Sequence, residues 1–134
     1  MALLLIAAVV TPTLAQELKC LKYKPHAIEL TGTVKRVTFP GPPNYESVDE
    51  GDRPEQYWVL YLPKAICVDI DPNNDINEAE KNIKSLQLII HDYDTYSNLL
   101  GQKVTVKGEL THAITGHHHT NVLINVKDIK KAQQ

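Results

Sequence analysis

Apolar and polar residues alternate with a period of two through His26-Ala27-Ile28-Glu29-Leu30-Thr31-Gly32-Thr33-Val34-Lys35-Arg36-Val37, the pattern of a strand with one buried face. Gly32 marks a bend in it, and it ends at Phe39-Pro40. Strand character returns at Tyr57-Trp58-Val59-Leu60-Tyr61-Leu62 and breaks at Pro63, with Ala65 to Asp69 as an extension of the same sheet. An Asp/Asn-rich turn then leads into a short predicted helix through Glu78 to Ile83, and Leu86-Gln87-Leu88-Ile89-Ile90 predicts a third strand. Tyr96, Leu99 and Leu100 recur at i, i+3 and i+4, which puts one apolar stripe on a helix over 93–100 that Gly101 closes. Val104, Val106, Leu110 and Ile114 share one face of a fourth strand, and Val122, Ile124 and Val126 share one face of a fifth over 121–129.

That order, three strands, a short helix and two strands, predicts a mainly β protein: a small five-stranded OB-like barrel with one short helix between strands 3 and 4. An open β-sandwich is the alternative, which the lone helix disfavours. The length of 134 residues, 43% apolar and 22% charged, suits a single globular domain. Residues 1–15 differ from the rest: Ala2 to Val10 is unbroken apolar sequence, followed by Thr11-Pro12-Thr13-Leu14-Ala15. This predicts a signal peptide cut after Ala15, leaving one domain over 16–134. Nine apolar residues fall short of the ~20 that cross a bilayer, so the expectation is a periplasmic or secreted protein without a permanent membrane anchor. A formal charge of −2 supplies no cationic field, which argues against nucleic acid as a partner. Export makes Cys20 and Cys67 an expected disulfide, and a loop of that length is worth about 4 kcal/mol in the chain-entropy model.

The candidate chemistry sits in Thr115-Gly116-His117-His118-His119-Thr120, which holds half of the six histidines at a tip between two strands. OB barrels bind ligands on the face of strands 2 and 3, flanked by the loops joining strands 1–2 and 4–5. Here those loops are 40–55, rich in proline and acidic residues, and 115–120, and they are expected at the same end of the barrel. The ligand-binding candidates are therefore His112, His117, His118 and His119 with Tyr45, Asp49, Glu50 and Asp52 from the facing loop. Side-chain alternation sends His117 and His119 to one side. With His112 and a carboxylate from Asp49, Glu50 or Asp52 they form an N/O set suited to zinc, or to copper or nickel in a tetragonal arrangement. The plainer alternative has these histidines bonding backbone, stacking, or touching a protein partner, since no H-E-x-x-H spacing is present.

A second cation candidate is Asp69 to Glu80, where Asp69, Asp71, Asn73, Asp75 and Glu80 fall at calcium-loop positions and Asn74 replaces the turn glycine. Its alternative is an Asp/Asn turn with Asp75 and Glu78 as a capping box. No residue is assigned a catalytic role: there is no G-x-S-x-G and no Cys beside a His. Tyr57, Trp58 and Tyr61 read first as packing and second as a stacking surface.

The stretch Gly101-Gln102-Lys103-Val104-Thr105-Val106-Lys107-Gly108-Glu109-Leu110, then His112-Ala113 and Thr115 to Leu123 around the three histidines, resembles an uncharacterised bacterial family, domain of unknown function 4431. Ala65 to Val68 and Leu86 to Leu88 are similar to it too. The resemblance implies an exported bacterial protein, sometimes found beside lysozyme-inhibitor-like modules, and hence an inhibitor or immunity-like role in the envelope; it carries over no functional residue. The functional expectation is a non-catalytic binding module for a protein or cell-envelope component. The alternatives are a transition-metal-binding periplasmic protein and, last, a metal-dependent hydrolase.

Overall fold

The computed structural model describes residues 19–133; the expected signal peptide, 1–15, lies outside them. Five strands, β1 (Ala27–Pro40), β2 (Pro54–Val68), β3 (Glu80–Ile89), β4 (Lys103–His112) and β5 (Val122–Lys131), close in the order β1-β2-β3-β5-β4. Every neighbouring pair is antiparallel except β3 with β5. This is the five-stranded OB-like connectivity, and a short helical turn, α1 (Tyr93–Tyr96), continues as a 3-10 turn through Leu99 between β3 and β4. Asp92 caps α1 by accepting from Thr95, and Gly101, at a φ of 79° that suits glycine, turns the chain out of it.

Period-two alternation builds the core from Val34, Trp58, Leu60, Leu86, Leu88, Val104, Val106, Leu110, Val122 and Ile124, all buried. In β5 the register slips by one residue, since Lys107 pairs with Asp128 but Gly108 with Val126. The slip reverses parity, so Ile129 turns inward after Ile124 and Val126. Gly32 lies where β1 approaches β2 so closely that a Cβ would run into the Tyr61 carbonyl oxygen.

Three local expectations need correction. Pro63 does not end β2; the strand runs on to Val68 through a register irregularity between Tyr61 and Ile66, where a residue without an N–H is tolerated. The helix through Glu78 to Ile83 does not form. Glu80 and Ile83 instead pair with Val68 and Ile66, because a ladder bonded to an existing strand outcompetes a six-residue helix that is marginal alone. Ile114 leaves the inward face of β4 altogether, past the strand's end at His112, and is exposed.

The end of the barrel where β2 and β4 finish is crossed by residues 20–26. Leu21 bridges Val68, its N–H donates to Cys67 O at 2.8 Å, and Lys24 N–H donates to Leu110 O at 3.0 Å. Cys20 and Cys67 form the expected disulfide beside these bonds, and Tyr23 is buried into the core. Among the described residues no helix is long and apolar enough to cross a membrane.

Candidate functional site

Inward residues alternate along β2, β3 and β5, so Val59, Gln87 and Leu123 point out of the barrel; they also face one another in register. All three are nevertheless buried. Their cover is the β4–β5 loop, residues 113–121, to which Gln87 is bonded. Gln87 Nε2 donates to the His117 carbonyl at 3.0 Å, its Oε1 accepts the His119 N–H at 2.7 Å, and its own N–H donates to Thr120 Oγ1 at 2.9 Å. The side-chain amide pairs with backbone on both sides of His118, and so fixes the loop against β3.

Phe39 and Glu55 are register partners on β1 and β2, and Tyr57 has the same outward parity as Glu55. His119 lies among them. Its ring stacks on Phe39 with centroids 4.3 Å apart and planes 2° from parallel, tilts against Tyr57 at 5.6 Å, and donates from Nε2 to Glu55 Oε2 at 3.1 Å. His117 donates from Nδ1 to the other carboxylate oxygen at 2.6 Å, meets Tyr45 edge-on at 5.6 Å, and leaves 52% of its side chain exposed. Burial works against the charge on Glu55, but the hydrogen bonds from His119 and His117 outweigh it and its pKa is lowered. Burial together with that carboxylate raises the Tyr57 phenol.

His118 turns the other way: its Nδ1 accepts the Ile114 N–H at 3.0 Å, which requires an unprotonated nitrogen. Burial first, then the charges of His117 and His119, lowers its pKa in agreement with that role. Gly116 lies flat on Tyr45, where a Cβ would stand 2.7 Å from the ring.

The two loops therefore meet, but not at one end of the barrel. The β1–β2 loop leaves where β1 ends, while the β4–β5 loop leaves where β4 ends, beside the start of β1. Contact arises because the β4–β5 loop lies back across the outer face of β2 and β3. The facing carboxylate is Glu55, at the start of β2, rather than Asp49, Glu50 or Asp52. Asp49 and Glu50 are exposed, and Asp52 is turned into its own loop, accepting from the backbone N–H of Asn44, Glu46 and Ser47, which lowers its pKa.

His112 does not join His117 and His119, so the three-histidine metal set does not assemble. Its Nε2 lies 2.9 Å from Glu80 Oε1, at the base of the loop. The calcium set is not assembled either. Asp71 accepts from Asn73 N–H and Asn77 Nδ2, Asn74 accepts from Ile76 N–H, and Glu80 belongs to β3 and faces His112; no group of three among Asp69, Asp71, Asp75 and Glu80 gathers its oxygens. These Asx turns make 69–79 a self-bonded connection. Trp58 is core, packed edge-on to Tyr93, and Tyr61 is exposed under Lys35 Nζ. Glu55 and Gln87 were not singled out in the sequence; the one available signal was their outward strand parity.

The fold and the covered outer face define an OB-like barrel whose β4–β5 loop carries clamped histidines. Residues 85–130 match a family model, Domain of unknown function (DUF4431), a stretch that holds Gln87, the helical turn, β4, the histidine loop and all of β5 but its last residue. No curated protein matches the chain.

Proposed function

We propose that this chain is an exported, non-catalytic binding module that recognises a protein of the cell envelope with the rim formed by His117, Tyr45 and Ile114. The observation that carries this reading is the Gln87 clamp: both backbone groups around His118 are tied to a residue 2% exposed, so the loop is held in shape before any ligand arrives. A preorganised loop loses little entropy on association. What it presents outward is a half-exposed imidazole, the Tyr45 ring against it, tyrosine being a residue type that anchors protein interfaces, and Ile114 with 64% of its surface in solvent. Glu55 supports the same reading, because its carboxylate holds both imidazoles in place. Within it, an inhibitor or immunity-like role is the finer form.

A photo-crosslinking amino acid placed at Ile114, in cells that export the protein, tests this. A discrete protein adduct is expected there and not from Lys130, which is exposed at the far end of β5. The partner identified from it, purified, should bind the protein at micromolar Kd or tighter and lose at least tenfold on Tyr45→Ala with His117→Ala. Equal labelling from both positions, or an unchanged affinity in the double variant, refutes the assignment.

A further inference from the structure

His112 closes β4, and its surroundings fix which ring nitrogen is free. Its backbone N–H donates to Asn77 Oδ1 at 3.3 Å, and its Nδ1 lies 3.0 Å from the Ala113 carbonyl, which can only accept. Nδ1 therefore carries a hydrogen, and Nε2 is left to face Glu80 Oε1 at 2.9 Å. A bare imidazole nitrogen and a carboxylate are both acceptors. They stay at that distance only with a cation on or between them, either a proton or a metal ion. A third group completes the set: one ligand atom from each of Glu78, Glu80 and His112 lies within 4.8 Å of the others. Asn121 Nδ2 reaches the second Glu80 oxygen at 3.5 Å, and the buried Tyr23 hydroxyl donates to the Glu78 carbonyl at 2.6 Å.

We propose that His112 Nε2, Glu80 and Glu78 form a binding site for a divalent transition-metal ion, best fitted to zinc, with a fourth position open to water. In a tetrahedral site, zinc–nitrogen and zinc–oxygen bonds near 2.0–2.2 Å place neighbouring donors roughly 3.3–3.6 Å apart. The His112–Glu80 pair, 2.9 Å apart, would open by roughly half an ångström to reach that spacing, and Glu78, exposed on a flexible side chain, would turn inward to complete the set. The Nδ1–H on Ala113 is the outer contact by which ligating histidines are oriented. An imidazole donor favours zinc over calcium or magnesium, whose sites are built from oxygen. Bound metal would replace the proton between His112 and Glu80 and tie the β2–β3 connection to the base of the histidine loop.

The test is calorimetric titration of untagged, disulfide-intact protein with zinc chloride at pH 7. One equivalent is expected to bind, with affinity rising with pH, and Glu78→Gln and Glu80→Gln should each weaken it at least tenfold. The double variant His117→Ala with His119→Ala should bind as wild type. Glu78 is exposed, so its variant tests the site even where a change at buried positions unfolds the chain. X-ray absorption of the zinc complex should show one imidazole among oxygen donors. Failure to bind one equivalent, or binding lost in the His117/His119 variant and kept in Glu78→Gln, overturns the site without touching the recognition rim.

Discussion

Replacing Gln87 by Leu isolates the clamp on the histidine loop, because the substitution keeps most of the buried volume and deletes both polar ends. Two backbone groups lose their partners, the His117 carbonyl and the His119 N–H, under a position that is 2% exposed. An orphaned buried donor or acceptor costs about 1–3 kcal/mol, and water admitted at the loop edge recovers part of that. A net loss of about 3 kcal/mol is expected. With ~2.1 cal/mol/K of unfolding entropy per residue over roughly 115 described residues, this corresponds to a Tm lower by about 12 °C. Calorimetry measures the shift, and hydrogen exchange reports whether the amides of His118, His119 and Thr120 are exposed with it. Gln87→Glu is the finer control, since it keeps shape and acceptor but puts an oxygen where Nε2 donated. Protonation restores that donor, so this variant should be closest to wild type in acid and fall away as pH rises through its carboxyl pKa. A Gln87→Leu protein within 0.5 kcal/mol of wild type, with loop amides exchanging no faster, would show that the loop is held by something other than this side chain.

Glu55→Gln should flatten the acid limb of the stability curve. The Glu55 pKa is lowered from 4.5 in the fold, so the folded state binds fewer protons than the unfolded chain, and the stability it adds is present above pH 4.5 and lost as pH falls through the lowered value. Denaturant titrations between pH 7 and 3 compare the slopes. Gly116→Ala should cost about 1 kcal/mol, at the low end for overpacking because the Tyr45 ring it meets can swing aside. Tyr45→Ala should remove most of that penalty in a double-mutant cycle. Cys20→Ser with Cys67→Ser should cost about 4 kcal/mol and let amides of 20–26 exchange first, measured by denaturation and hydrogen exchange.

Strand faces were legible where alternation is uninterrupted and one side is buried: Val104, Val106 and Leu110 of β4 lie as their spacing predicts. The bulge in β5, opposite Lys107 and Gly108, was marked only by the change of apolar parity between Val126 and Ile129, and its position depends on how β4 pairs with β5. The histidine tip and the opposite loop were visible as a pair, yet the carboxylate between them was misplaced. Composition counts acidic residues across 40–55 without distinguishing them. Direction is set by where β2 starts: Pro54 opens the strand, which gives Glu55 the outward parity of Tyr57, whereas Asp52 precedes it and is consumed by three backbone N–H groups. The separation of His112 from His117 and His119 was not legible for the related reason that parity assigns a side of the sheet but not a partner, and its partner, Glu80, opens β3 where the sequence pattern predicts a helix.

Gln87 shows why a polar residue between Leu86 and Leu88 is hard to interpret. On a solvated face it would need no comment, and the alternation that identifies β3 assigns it to such a face. Burial of Val59 and Leu123 beside it means that a second layer lies over the strands, and a buried amide must then find both a donor and an acceptor within that layer. The β4–β5 loop offers a carbonyl at His117 and an N–H at His119, two residues apart, a spacing the amide bridges while the intervening His118 turns its ring to Ile114. One side chain thereby selects the loop's conformation, and that conformation delivers His119 to Phe39 and both imidazoles to Glu55. The outer face of β2 and β3 around Val59 and Gln87 is thus taken up by the chain itself, and what this side of the barrel presents to solvent there is the loop that covers the strands.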